Sequence, residues 1–388
     1  MLKLENFDAE TFLRDYWQKK PLFIRNPWNE WRNPLQPDEL AGLACEDDIE
    51  SRLVVQTDHE WKVEPGPLGE SRFGDLGNKH WTLLVQAVDH YVSQVAELIR
   101  PFRFIPNWRI DDVMVSYAAE DGGVGPHFDQ YDVFLIQGLG KRRWQVGAVC
   151  DENSKLVPND QLKLLAEFEA SDEWVCETGD ILYIPPGLSH NGVAIGQDCM
   201  TYSIGFRAPS QSELLSHWVD ELPAIIDDDR YGDPDLGLQE NPGEILPKAL
   251  DRLHGMVDTS LADRDDFIEW FGLYNSALKY PDIDWSPEKP ISVDELLDKL
   301  ETNQILLKNP ASRCSFIRQG SEFAILFVDG QMFECKKDAK HVAEQFCASG
   351  KISHSTGNVR SPEAIYLLKQ LYNQGSLYLD QWDYDHGQ

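Results

Sequence analysis

Three residues of this chain have the types and the spacing to hold a divalent metal. The stretch "GPHFDQYDVF", residues 125–134, sets His127 and Asp129 two apart in an apolar run. Read as a strand, the run places both side chains on one face, because strand side chains alternate with a period of two. Further on, "ETGDILYIPPGLSHNG" brings His190 to the end of a strand–turn segment, 61 residues after Asp129. Two imidazoles and one carboxylate on one face of an octahedron leave three coordination positions open. That facial triad belongs to non-haem Fe(II) oxygenases, whose open positions take a chelating co-substrate and then O2. An isolated His-x-Asp also occurs on solvated strands; the later "PPGLSH" in a β-rich setting makes it a ligand set.

The surrounding segments must position these ligands. From about 108 to 208, runs such as "DVMVSYAA", "YDVFLIQGLG", "RRWQVGAV" and "CMTYSIGFRAP" are rich in aromatic and β-branched residues and are separated by Gly, Pro and Asp. This pattern predicts antiparallel strands in a barrel or sandwich. Residues 1–100 mix types. Asp8 is placed to cap a helix in "DAETFLRDYW", "KPLFIRN" reads as a short strand, and "WTLLVQAVDHYVSQVAELIRPF" has helical periodicity up to Pro101. Residues 209–285 read as helical, with "DDDRYGDPDLGLQENPGEI" as an acidic loop between helices. Residues 286–388 combine helices with a hairpin turning at "VDGQ", the order of a small winged-helix-like domain.

"GPHFDQYDVFLIQGLGKRRWQV" together with "GDILYIPPGLSHNGVA" resembles the Jumonji C oxygenases, which depend on Fe(II) and 2-oxoglutarate. "FLRDYWQKKPLFIRN" is similar to the opening segment of their ribosomal oxygenase branch, which includes bacterial ribosomal protein arginine hydroxylases. The resemblance spans essentially the whole chain. It implies an α+β fold with a cupin-like double-stranded β-helix core. Residues 1–208 would form the oxygenase domain, with an α/β flank to about 100 and the β-helix from about 101. Residues 209–285 would form a helical dimerisation region and 286–388 the winged-helix-like domain.

The resemblance further implies that decarboxylation of 2-oxoglutarate drives hydroxylation of a protein side chain. The co-substrate's distal carboxylate then needs a cation. In "KRRW", Arg142 shares a face with Trp144 and Val146, whereas Lys141 and Arg143 share the polar face with Gln145. Arg142 also stands fifteen residues after His127, the spacing of the family's basic residue. It alone should enter the barrel, where its fork grips a carboxylate at two points. Ser116 and Thr201, on neighbouring predicted strands, are expected to donate further hydrogen bonds. The implied substrate is an arginine of a large-subunit ribosomal protein, hydroxylated at its β-carbon. Asp112, the aromatic face of Tyr131 and Ser203 are the expected contacts for such a side chain. Two rivals share the metal set: the same chemistry on another residue, as in a histidine hydroxylase or a lysine demethylase, and a cupin that holds metal without turnover.

Composition narrows the partners. The formal net charge is -31, from 66 Asp+Glu against 35 Lys+Arg, which repels nucleic-acid phosphates and attracts basic proteins. No direct DNA binding is therefore expected of the terminal domain. Seven cysteines without a CxxC pair fit a reduced, cytoplasmic protein. No apolar segment has the length of a membrane span, and the N-terminus lacks the apolar stretch of a signal peptide. Trp218, Leu222, Phe267, Trp270 and Phe271 are expected to form a homodimer face in the helical region.

Overall fold

A computed structural model of the protein describes residues 3–57, 60–158, 162–222, 230–234, 245–261, 263–302, 304–353, 359 and 361–380. The opening segment forms α1 (Ala9–Asp15), β1 (Leu22–Ile24) and α2 (Pro37–Leu43). Asp8 caps α1, accepting from the Glu10 amide at 3.2 Å and the Thr11 hydroxyl at 2.6 Å. β2 (Ser51–Thr57), β3 (Glu60–Pro65), α3 (Glu70–Gly74) and β4 (Trp81–Val85) follow.

The long helix expected over residues 81–102 is not formed. Trp81–Val85 is a sheet strand, and α4 (Ser93–Ala96) with flanking 3-10 turns is all that is helical. The reason is two-sided burial. Leu83 and Val85 face the main core, while Leu84 packs with Val54, Leu162 and Leu164. A strand covered on both faces carries a continuous apolar run, which periodicity alone does not separate from a helix.

The core strands are β5 (Ile110–Ala118), β6 (Val133–Val149), β7 (Asp172–Glu177), β8 (Ile181–Ile184) and β9 (Leu188–Phe206). The sheet order is β1-β8-β6-β9-β5-β4-β2-β3, with β7 also on β6 and the pairings antiparallel. β6 is one strand where two were expected. Its register to β9 shifts at Gln137/Leu139, Leu139/Lys141 and Val146/Val149. Such bulges bend a strand without ending it. Gly140 sits at one bend with φ +62°, and a Cβ there would stand 2.7 Å from the Asp198 carbonyl oxygen. After the bend β6 exchanges its edge partner, from β8 over Val133–Ile136 to β7 over Lys141–Val146, while β9 stays on its other side. This is the expected double-stranded β-helix. Its closed side is filled by aromatics: Phe12 packs on Phe134 at 5.3 Å and on Tyr183 at 4.9 Å between ring centres.

The helical region contains α5 (Gln211–Glu221), α6 (Pro247–Leu261) and α7 (Arg264–Ser276). Most of the acidic loop expected between its helices lies outside the described residues. The apolar residues expected at a dimer face pack on one another instead: Trp218, Leu222 and Trp270 are buried, with Phe267 and Phe271 against them. Trp218 and Trp270 lie 5.2 Å apart.

The C-terminal part has its own core, from Ile291 to Leu379. It contains α8 (Val293–Glu301), β10 (Leu306–Lys308), β11 (Cys314–Gln319), β12 (Phe323–Val328), β13 (Gln331–Lys336), α9 (Asp338–Ser349), β14 (Lys351–Ile352), α10 (Pro362–Asn373) and β15 (Leu377–Leu379). Ser292 and Glu295 close a capping box on α8. Asp329 and Gly330 turn the β12–β13 hairpin with φ of 52° and 75°, the backbone a two-residue primed turn requires. α7 lies against this hairpin so closely that a Cβ on Gly272 would stand 2.3 Å from the Phe327 ring.

Candidate active site

His127 and Asp129 do not lie on a strand. They precede β6, and only His127 pairs, through an isolated bridge to His190, the third residue of β9. The bridge, not strand alternation, brings the three side chains together. One ligand-type atom from each of His127, Asp129 and His190 lies within 4.8 Å of the others. Among the described residues no other group of three His, Cys, Asp or Glu side chains converges this way. His190 Nε2 is 3.7 Å from Asp129 Oδ2, and the two imidazole centres are 4.3 Å apart.

The protonation pattern suits a metal. His127 Nδ1 lies 2.9 Å from the Gly125 carbonyl oxygen, and His190 Nδ1 lies 3.0 Å from that of Leu188. A carbonyl only accepts, so each Nδ1 carries a hydrogen, which leaves Nε2 as the ring nitrogen facing a metal. Burial, and then the neighbouring His127, push the His190 pKa down to about 4, so this imidazole is neutral at physiological pH. The donor set of two imidazoles and a carboxylate fits a divalent transition metal.

The triad opens on a cavity of about 490 Å³. Arg142 lies on its wall, 4% exposed, with its guanidinium over the Trp144 ring and its Nε donating to Cys199 Sγ at 3.4 Å. Its Nη2 is buried and has no hydrogen-bond partner. A buried guanidinium with an unused donor is costly unless an anion arrives, so the cavity fits a ligand carboxylate at this position. Arg143 and Lys141 point outward, as the alternation predicts; Lys141 pairs with Glu177 at 2.7 Å.

Ser116 on β5 and Thr201 and Ser203 on β9 also line this cavity. Thr201 Oγ1 donates to Gln137 Oε1 at 3.3 Å. Tyr131 stands at the mouth, 43% exposed. Asp112 lines the same cavity and is buried, but its Oδ2 is heavily engaged. It accepts from Gln86 at 2.7 Å, from the Ala87 amide at 3.0 Å and from Lys279 Nζ at 2.8 Å. Lys279 also pairs with Asp111 at 2.9 Å. Nothing in the sequence around "SALKYP" pointed to Lys279. It comes from the segment just after α7 and reaches the wall by pairing with Asp111 and Asp112 of β5. Gln137 and Gln86 were likewise invisible as single polar residues in apolar segments.

Residues 97–214 match the JmjC domain family, and residues 259–378 match the ROXA-like winged helix family. The chain is 38% identical over 369 residues to the ribosomal protein uL16 3-hydroxylase of Escherichia coli, covering 94% of this chain and 95% of that protein. A crystal structure of E. coli YcfD superposes with a TM-score of 0.89 at 35% identity, covering 98% of this chain and 100% of that one. A second YcfD structure, of the ribosomal oxygenase in complex with cobalt and 2-oxoglutarate, superposes at 0.86 with 35% identity over 98% and 100% of the two chains. A catalytic core with this metal-ligand set, a matching terminal domain and end-to-end similarity lead to one conclusion: the chain belongs to the JmjC ribosomal oxygenases.

Proposed function

We propose that this enzyme is an Fe(II)- and 2-oxoglutarate-dependent hydroxylase of a large-subunit ribosomal protein, acting on an arginine of uL16. The observation that carries the reading is the shared cavity: a three-ligand cluster on one wall and a buried, unsatisfied Arg142 on another. The similar E. coli protein is named for uL16 hydroxylation, and the surplus of negative charge suits a basic ribosomal substrate.

When bound, iron supplies O2 activation coupled to decarboxylation of 2-oxoglutarate. His127 and His190 hold the metal through Nε2, their Nδ1 hydrogens anchored on backbone carbonyls, and Asp129 completes the set. Arg142 grips the distal carboxylate of 2-oxoglutarate, with Ser116 and Thr201 adding hydrogen bonds. Asp112 and Ser203 line the entry for the substrate side chain, and Tyr131 offers its ring at the mouth. Lys279 already neutralises part of the Asp111–Asp112 pair, so an incoming guanidinium meets a carboxylate held in place.

Residues 1–208, 209–285 and 286–388 serve as oxygenase, assembly and winged-helix-like parts, the family match to the last starting earlier, within the helical region. The assembly is a homodimer through α5 and α6, which expose Leu215, Val219, Leu250, Leu253 and Val257. The enzyme works in the cytoplasm; none of its described helices is long and apolar enough to cross a membrane. Incubating the protein with Fe(II), 2-oxoglutarate and a uL16 fragment should give succinate and a +16 Da arginine in the fragment. Succinate without any modified residue would remove the substrate assignment, and no succinate at all would remove the activity.

A further inference from the structure

A second cavity, of about 400 Å³, lies between the oxygenase core and the winged-helix-like part. Arg103, Arg207, Lys308, Arg313 and Lys351 all line it. In a chain with a formal charge of -31, five cations around one cavity are an inversion of the local charge. The carboxylates on its wall are Asp89, Glu97 and Asp111. They are outnumbered by the cations. Among the described residues, Arg313 is the one cation of the five in an ion pair, with Asp111. Arg207 Nη1 donates to the Asn275 carbonyl at 2.6 Å, Arg103 Nη1 to that of Ala348 at 3.2 Å, and Lys308 Nζ to those of Ser312 and Asn309 at 2.6 and 3.1 Å. The Arg313 Nε is buried without a partner.

Neutral carbonyls orient a cation but leave its charge unbalanced, and partly buried guanidiniums held near one another repel. The surroundings register this field. Burial first, and then Arg313, Lys279 and Lys308, push the buried His90 on the wall down to about 3. Ile99, Trp108, Leu307 and Pro310 supply apolar wall between the cations. The size falls in the range of small-molecule sites.

We propose that this interdomain cavity binds a small organic anion bearing two or more negative charges, a phosphate ester or a polycarboxylate. The site is separate from the metal centre, although Asp111 and Arg207 border both cavities. Bound there, such an anion would bridge Arg207 of the core to Lys308 and Arg313 of the terminal part.

The test is calorimetric titration of the full chain with inorganic phosphate and, separately, with citrate, each against chloride at matched ionic strength. Saturable one-site binding by phosphate, citrate or both is expected, and the arm that binds tighter identifies the anion class. Lys308→Met and Arg313→Gln should each weaken it at least tenfold, Lys308→Arg should retain it, and Arg142→Ala should leave it unchanged. Absence of saturable heat with both anions on the wild-type chain overturns the proposal, whatever the variants do. Loss of binding in Arg142→Ala also overturns it, because the anion would then occupy the catalytic cavity. If Lys308→Met fails to fold, the wild-type and Arg142→Ala titrations decide alone.

Discussion

The main chains of His127 and His190 are locked to each other: the His127 amide donates to the His190 carbonyl at 3.0 Å, and the His190 amide donates back at 2.8 Å. Two residues 63 apart in the chain thus share one backbone ring, and their imidazoles follow. The Gly187 amide adds a third tie, to the Asp129 carbonyl at 2.7 Å. The ligand set is held by backbone, so removing one ligand side chain should not disturb the other two.

His127→Ala, Asp129→Ala and His190→Ala are therefore expected to fold and to lose metal. Titration with Co(II), followed by its visible absorption, should show affinity reduced at least tenfold in each, with no succinate formed. Circular dichroism should match the wild type. A folded His190→Ala protein that binds Co(II) normally and turns over would disprove the site.

Arg142→Ala should raise the KM for 2-oxoglutarate about 10- to 100-fold, the loss of a charge-assisted, two-point contact in a buried setting. Arg143→Ala should change it less than about twofold, because Arg143 is exposed on the opposite face. Steady-state succinate production separates the two. The reverse order of sensitivity would place the co-substrate elsewhere.

Asp89 provides a pH signature. It is 3% exposed, and burial, followed by the nearby Asp112, raises its pKa to about 7. A folded-state pKa above the unfolded value near 3.8 means that the folded state binds the extra proton. Its contribution is intact below about pH 4 and is lost as pH rises to about 7. Asp89→Asn keeps an oxygen to accept the Val113 amide, a bond of 2.8 Å in the wild type. The variant should gain about 1–3 kcal/mol over wild type at pH 8 and little at pH 4.5. Urea unfolding at both pH values measures this; an equal difference at the two would show that Asp89 is ionised throughout.

The exposed apolar residues of α6 make assembly testable. Leu250 and Val257 are 52% and 57% exposed. Leu250→Asp with Val257→Asp should convert a dimer to a monomer in light scattering at micromolar concentration while preserving the circular dichroism. A wild-type chain that is already monomeric there would end the dimer proposal.

Gly272 is the contact that seats α7 on the terminal hairpin. Gly272→Ala would place a methyl 2.3 Å from the Phe327 ring, and overpacking of this kind costs about 1–3 kcal/mol. Thermal unfolding should fall accordingly, with Co(II) binding at the distant triad unchanged. An unshifted melting temperature would mean that the helix and hairpin part readily.

The chemistry of the site was legible because it depends on residue types that have few other uses in such settings. His127, Asp129 and His190 stood out as polar ligands in apolar runs, and the alternation of "KRRW" correctly sent Arg142 inward, since a strand inverts its face at every residue. Local signals were also sound where they were strictly local: the Asp8 cap and the Asp329-Gly330 turn each depend on atoms a few residues apart. What the sequence did not contain was the outcome of two-sided burial and of contacts between distant segments. Leu83, Leu84 and Val85 read as helix because a strand covered on both faces shows no alternation. The aromatic residues of α5 and α7 read as a dimer face because their mutual packing is a tertiary fact. His127 lay in a loop and met His190 through a single bridge that no period predicts. Lys279 reached Asp112 across 167 residues, and the cations of the second cavity converged from segments as far apart as Arg103 and Lys351. Residue type and short-range geometry determine which atoms are capable of chemistry; only the packing of distant elements decides which of them meet.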